Sequence, residues 1–184
     1  EHLLPGLDPA GVPQHLRGSV HPFRYNDFAG LAALVSEHDI GVIKMEVMRN
    51  HPPKDDFLQK VRQLATDHSI VLIFDECTSG FRQNFGGLHL QFGVDPDMAV
   101  FGKALGNGYA VTAVLGTRDV MQAAQATFIS STFWTERIGS VAALATLDVM
   151  QEESPWDGIV AAGQGITSRW QDMAATYDLQ LTTS

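Results

Sequence analysis

The chain has a single cysteine, Cys77, among 184 residues, and 12 basic side chains against 21 acidic ones. Each shortage excludes something. One cysteine cannot close an intrachain disulfide, and it suits a reducing compartment, so a cytoplasmic protein is expected. A formal charge of -9 is the wrong sign for neutralising a phosphate backbone, which argues against nucleic acid as a partner. No apolar run reaches the length that spans a bilayer, and Glu1 to Gly6 shows no basic stretch leading into an apolar one, so neither a membrane span nor a secretory signal is expected. Internal repeats and low-complexity segments are also missing.

What is present is a globular composition, 45% hydrophobic and 18% charged. A domain of this size buries roughly 70% of its unfolded surface. Residues 1–24 are rich in Gly, Pro and His without a period of two or 3.6, and read as a surface lead-in segment. Asn26-Asp27 then stands before Phe28, Leu31, Leu34 and Val35, a helical spacing with an Asx cap, ending near His38. Gly41 to Met48 reads as a strand in which Lys44 and Glu46 share a face. Asp55 and Asp56 precede Phe57, Leu58, Val61 and Leu64, an amphipathic helix with acids expected in its first turn and an end near His68.

Ile70 to Phe74 is a continuous apolar run without alternation. Such runs belong to strands covered on both faces, as in a parallel sheet under helices. Strand, helix and strand from Gly41 to Phe74 make a βαβ unit. Short strands follow at Met98–Phe101 and Val111–Leu115, then helices over Arg118–Gln125, Ile138–Glu153 and, with glycine breaks, Trp156–Tyr177. Leu179–Thr182 could begin another strand. The fold class is α/β, a mostly parallel sheet flanked by helices.

The run at Ile70 ends in Asp75-Glu76, and the next strand leads to Gly102-Lys103-Ala104. Ligands in open α/β sheets bind beyond the carboxyl ends of the strands. The acids could simply cap the following turn or pair with Arg82. A Mg²⁺-holding acid of a nucleotide hydrolase needs a phosphate loop, but Asp97 stands where its first glycine belongs and Ala104 where its hydroxyl belongs. A third reading joins Asp75 to Lys103. A lysine among Gly102, Ala104, Gly106 and Gly108 is placed for close approach of a ligand, and a desolvated lysine can form a Schiff base with a carbonyl. Pyridoxal phosphate asks for such a lysine together with an acid facing its pyridine nitrogen. His51, His68 and His89 fit no metal-ligand spacing, Cys77 has no histidine nearby in sequence, and Trp134, Trp156 and Trp170 read as packing or interface residues.

Leu72 to Arg82, then Asp95-Pro96-Asp97-Met98, then Phe101 to Tyr109 resemble the cofactor region of the class III pyridoxal-phosphate aminotransferases, and most of all their glutamate-1-semialdehyde aminomutase-like branch. Ser131-Thr132-Phe133 is similar to that family's G-T-F segment, Met45-Glu46-Val47 to its M-E-P-V strand end, and Asn26-Asp27 to its Y-N-D helix start. The resemblance implies the large domain of the fold-type I enzymes, with residues 25–153 as the pyridoxal-phosphate-binding core and 154–184 as a helical connection toward a C-terminal domain. Family members are longer, and the matched residues correspond to the central part of that large domain.

The resemblance also implies roles. Lys103 would hold the cofactor as a Schiff base and then shuttle a proton, while Asp75 would keep the pyridine nitrogen protonated. Cys77 would pack on the ring where the family has valine or isoleucine. Thr132 would reach the phosphate of a neighbouring subunit, making a homodimer with a shared site. Val47 replaces the family's proline, and Ser130-Ser131 its paired glycines. The implied activity is transfer of an amino group between a small-molecule donor and a keto acceptor, or its intramolecular shift. A different class of reading is a shortened chain that folds or dimerises without turnover.

Overall fold

A computed structural model describes residues 10–130, 132–133 and 135–183. The start of the lead-in segment, Ser131 and Trp134 lie outside the described residues. The chain divides into two compact units, Glu1–Ile40 and Gly41–Ser184.

The first unit contains a short 3-10 turn at Gln14–Leu16 and helix α1, Phe28–Glu37. The expected Asx cap is present: Asp27 Oδ1 accepts the Gly30 amide at 2.9 Å, occupying one of the donors that a helix start leaves without a partner.

The second unit is built on a four-stranded sheet. Strands β1 (Val42–Met45), β2 (Val71–Asp75), β3 (Met98–Phe101) and β4 (Ala113–Gly116) lie side by side in chain order. β1 runs parallel to β2 and β2 to β3, whereas β4 is antiparallel to β3. The sheet is therefore mostly parallel. Helix α2, Phe57–Asp67, makes the crossover from β1 to β2. Its side chains Phe57, Leu58, Val61 and Ala65 are buried, as are Ile43, Met45, Leu72 and Phe74 on the strands. Each large side chain removed from water in this way contributes about 1.5–3 kcal/mol before entropy is counted.

Two details depart from the sequence expectation. Asp55 and Asp56 adopt left-handed φ values of 51° and 56° ahead of α2. The helix has no acid in its first turn, and the Asp56 side chain makes no cap hydrogen bond. β2 is also not covered equally on both faces. Leu72 and Phe74 are fully buried, but Val71, Ile73 and Asp75, which alternate to the other face, are only half-buried.

After β4 come α3 (Arg118–Gln122), a 3-10 turn at Ala123–Ala126, α4 (Ile138–Glu153) and α5 (Trp156–Thr176). α4 matches its expected bounds, but its apolar residues divide between two faces. Ala143, Leu147 and Met150 pack on the cluster of Phe81, Ala99, Phe101 and Leu105, while Val141, Leu144 and Val149 face outward. α5 runs unbroken through Gly158, Gly163 and Gly165, and Leu179–Thr182 forms no strand. Among the described residues no helix is long and apolar enough to cross a membrane.

Candidate active site

The parallel β2–β3 pair sets the site. Asp75 is the last residue of β2 and lies opposite Val100. The Glu76 amide then donates to the Val100 carbonyl at 2.8 Å, extending the pairing one step past the strand. Two residues beyond the end of β3 stands Lys103, so both residues occupy the carboxyl edge of neighbouring parallel strands. The connection after Asp75 closes the gap: Lys103 Nζ donates to Thr78 Oγ1 at 2.7 Å. Lys103 itself has a left-handed φ of 46°, an uncommon conformation for a residue with a side chain and one that concentrates at functional turns.

Asp75 is held from two sides. Its Oδ1 accepts the Cys77 amide at 3.2 Å, and its Oδ2 meets Lys44 Nζ at 2.8 Å. Burial alone would raise this carboxyl, but the Lys44 ammonium and the Cys77 amide outweigh it and bring the group below its ordinary value. Asp75 is thus a carboxylate at neutral pH. Cys77 feels the charges of Asp75, Lys103 and Lys44. Burial pushes its thiol up, the Asp75 carboxylate adds to that, and Lys103 and Lys44 offset only part of it. The side chain is a neutral thiol, set against Gly102, where an added Cβ would come to 3.5 Å from Cys77 Sγ.

Glu76 does something different from Asp75. Its side chain is fully buried, and its Oε1 accepts the His89 amide at 3.0 Å and faces His89 Nδ1 at 2.8 Å. Oε2 accepts the Ser79 hydroxyl. Burial by itself would raise this carboxyl too; the His89 ring, the Ser79 hydroxyl and the backbone amides of His89 and Leu88 outweigh it and lower it. Glu76 therefore ties the 77–89 connection to the end of β2. Neither acid pairs with Arg82, and His89 is engaged by Glu76. Two glycines permit the tight packing. A Cβ at Gly80 would stand 2.7 Å from the Phe101 ring, and one at Gly87 would stand 2.9 Å from Glu76 Oε1.

Asp75, Cys77 and Lys103 lie together at the ends of β2 and β3. Thr132 is exposed on the connection between α3 and α4 and takes no part in the hydrogen bonds of this cluster. Sequence reasoning passed over Lys44, Thr78, Ser79 and the role of His89. The signal for Lys44 was its place beside Glu46 on one strand face, but its partner depends on the register between β1 and β2, which the sequence does not display.

A family model described as Aminotransferase class-III matches residues 28–181. The chain belongs to the class III aminotransferases. Among relatives in this family, the 3-aminobutyryl-CoA aminotransferase of Cloacimonas acidaminovorans (strain Evry) is 38% identical over 165 residues, 84% of this chain and 39% of that protein. The glutamate-1-semialdehyde 2,1-aminomutase of Nitratidesulfovibrio vulgaris (strain DP4) is 35% identical over 167 residues, 86% of this chain and 39% of the relative. A solved structure of the Sphingopyxis sp. MTA144 FumI protein in its PLP internal aldimine form superposes with a TM-score of 0.86. It is 25% identical, with 94% of this chain and 44% of that one covered. This class III chain thus spans about two fifths of the length of the curated relatives it matches. The match takes in the whole β2–β3 region and α4 with it.

Proposed function

We propose that this chain carries the cofactor-handling strands of a pyridoxal-phosphate-dependent aminotransferase or aminomutase, with Lys103 as the Schiff-base lysine and Asp75 as the partner of the ring nitrogen. One observation carries the reading: an ionised carboxylate and a lysine end adjacent parallel strands and are joined through the 75–78 turn. The donor set fits the group. Asp75 spends one acceptor position on Cys77 and one on Lys44, and a carboxylate has about four. Lys103 Nζ donates to a neutral hydroxyl rather than to a carboxylate, which leaves it free to exchange partners.

When bound, pyridoxal phosphate supplies a carbonyl for amines and a ring that accepts electrons. The rest falls to the chain. Asp75 would accept a hydrogen bond from the protonated ring nitrogen and stabilise its charge. Lys103 would take and return a proton at Nζ, with the Thr78 hydroxyl as its resting partner. Cys77, small and uncharged, packs against the ring face. Thr132, exposed after α3, would hold the phosphate bound by a neighbouring subunit, which makes the proposed working unit a homodimer with shared sites.

In this reading residues 25–153 form the cofactor-binding core and 154–184 the helical connection after it. The substrates are a small amino donor and a keto acceptor, and the compartment is the cytoplasm. The similarity to an aminotransferase and to an aminomutase supports both transamination and an internal amino shift.

The test is to add pyridoxal phosphate, record the absorbance near the visible edge, then reduce with borohydride and locate the added mass. The expected result is a band and a modified Lys103, both lost in Lys103→Ala. Identical spectra for wild type and variant would overturn the assignment. Binding at Lys103 without turnover of any amino donor at saturating cofactor would instead favour a chain that holds cofactor without catalysis.

A further inference from the structure

Asp75 already has a cation beside it. Lys44 lies opposite Ile73 in the β1–β2 register, which makes Asp75 its diagonal neighbour on the same sheet face, within reach of a long side chain. The strand presents Ile43 and Met45 to the core and Val42 and Lys44 outward, so the placement follows from the pleat. The Lys44 side chain is 59% exposed and that of Asp75 25%. A pair this open contributes little to stability. Its main effect is on the carboxylate itself.

A carboxylate flanked by an ammonium is easily ionised, and by the same physics it attracts a second cation less strongly. Lys44 occupies Oδ2 and the Cys77 amide occupies Oδ1, which leaves acceptor positions on both oxygens. A protonated ring nitrogen can join Lys44 at Asp75, but the two positive charges then share one negative one.

We propose that Lys44 is a positioning and tuning residue that shares Asp75 with the ring nitrogen of the cofactor, fixing the carboxylate's orientation while weakening its hold on the ring's proton. The inference rests on the cofactor reading above. It assigns to β1 a part in setting how strongly the ring withdraws electrons.

The experiment compares two probes by absorbance titration of the full chain at fixed pH: pyridoxal phosphate, and an analogue with C–H in place of the ring nitrogen. The readout is the ratio of their dissociation constants, which isolates the interaction at the ring nitrogen. Loss of an adjacent opposite charge is worth about a pKa unit or more at a carboxyl. Lys44→Met should therefore widen the preference for pyridoxal phosphate about tenfold, and Lys44→Arg should keep the wild-type ratio. A merely structural role for Lys44 would weaken both probes alike and leave the ratio unchanged.

Asp75→Asn should abolish the preference whatever stands at position 44. An unchanged ratio in Lys44→Met beside a collapsed one in Asp75→Asn overturns the Lys44 inference alone. A preference that survives Asp75→Asn, or a wild-type chain that binds neither probe, overturns the cofactor reading and this inference with it.

Discussion

Replacing Glu76 with alanine should be among the most damaging single changes outside the apolar core. The side chain is fully buried and serves the His89 ring, the His89 amide, the Ser79 hydroxyl and the Leu88 amide. Hydrogen bonds to a charged acceptor are worth about 1.5–3 kcal/mol each, but those of one side chain do not add. Leaving a buried donor without its acceptor typically costs about 1–3 kcal/mol, and the loss of the Glu76 carboxylate strands several donors at once. We expect a loss of about 3–5 kcal/mol for Glu76→Ala, measured by urea unfolding at neutral pH. For a chain of this size that is a drop of roughly 6–20 °C in Tm.

Glu76→Gln keeps an acceptor for His89 and should lose only about 1–2 kcal/mol. The pH dependence provides a second check. The Glu76 carboxyl is lowered in the folded chain, so its contribution is complete above the unfolded carboxyl value and fades as pH falls through the folded one. The acid limb of the stability curve should therefore be flatter in Glu76→Gln than in wild type. A Glu76→Ala chain within about 1 kcal/mol of wild type would refute the clamp, since nothing that size fits a buried carboxylate with this many donors.

Two further outcomes test the geometry around the strand ends. The Cys77 thiol is pushed up by burial and by Asp75, so alkylation by iodoacetamide should be slow at neutral pH and rise only above the usual thiol range; Asp75→Asn should speed it, and an unchanged rate profile would remove Asp75 as a cause. Gly80→Ala would set a Cβ 2.7 Å from the Phe101 ring and 2.8 Å from the Glu76 carbonyl. A loss of about 1–3 kcal/mol in urea unfolding is expected, and a neutral result would show that the Phe101 ring and the Glu76 backbone both give way freely.

Much of the frame was legible because it rests on local pattern. The cap at Asp27 and the bounds of β3 and of α4 follow from short-range signals: a hydrogen-bonding side chain before an apolar period, a short apolar run, and a helical spacing. What stayed hidden depends on register or on three-dimensional cover. Lys44 finds Asp75 only through the β1–β2 offset. Glu76, next in sequence to Asp75, points the other way because successive strand side chains alternate, and its partner His89 is reached only after the chain has turned through 77–87. The apolar residues of α4 gave its period correctly, yet periodicity says nothing about which face a neighbour covers.

The strand order has a consequence for how the molecule assembles. Because β1, β2, β3 and β4 are neighbours in space in the order in which they occur along the chain, no pairing must wait for a distant segment to arrive. The union of β2 with β3 requires only that the 76–97 connection close on itself, a modest entropic demand. Two of the three pairings are parallel, with partners 25 to 29 residues apart, so the sheet forms more slowly than a bundle of local helical contacts. Asp75 and Lys103 belong to that single pairing event. The two strand ends are therefore set side by side only once that one connection has closed.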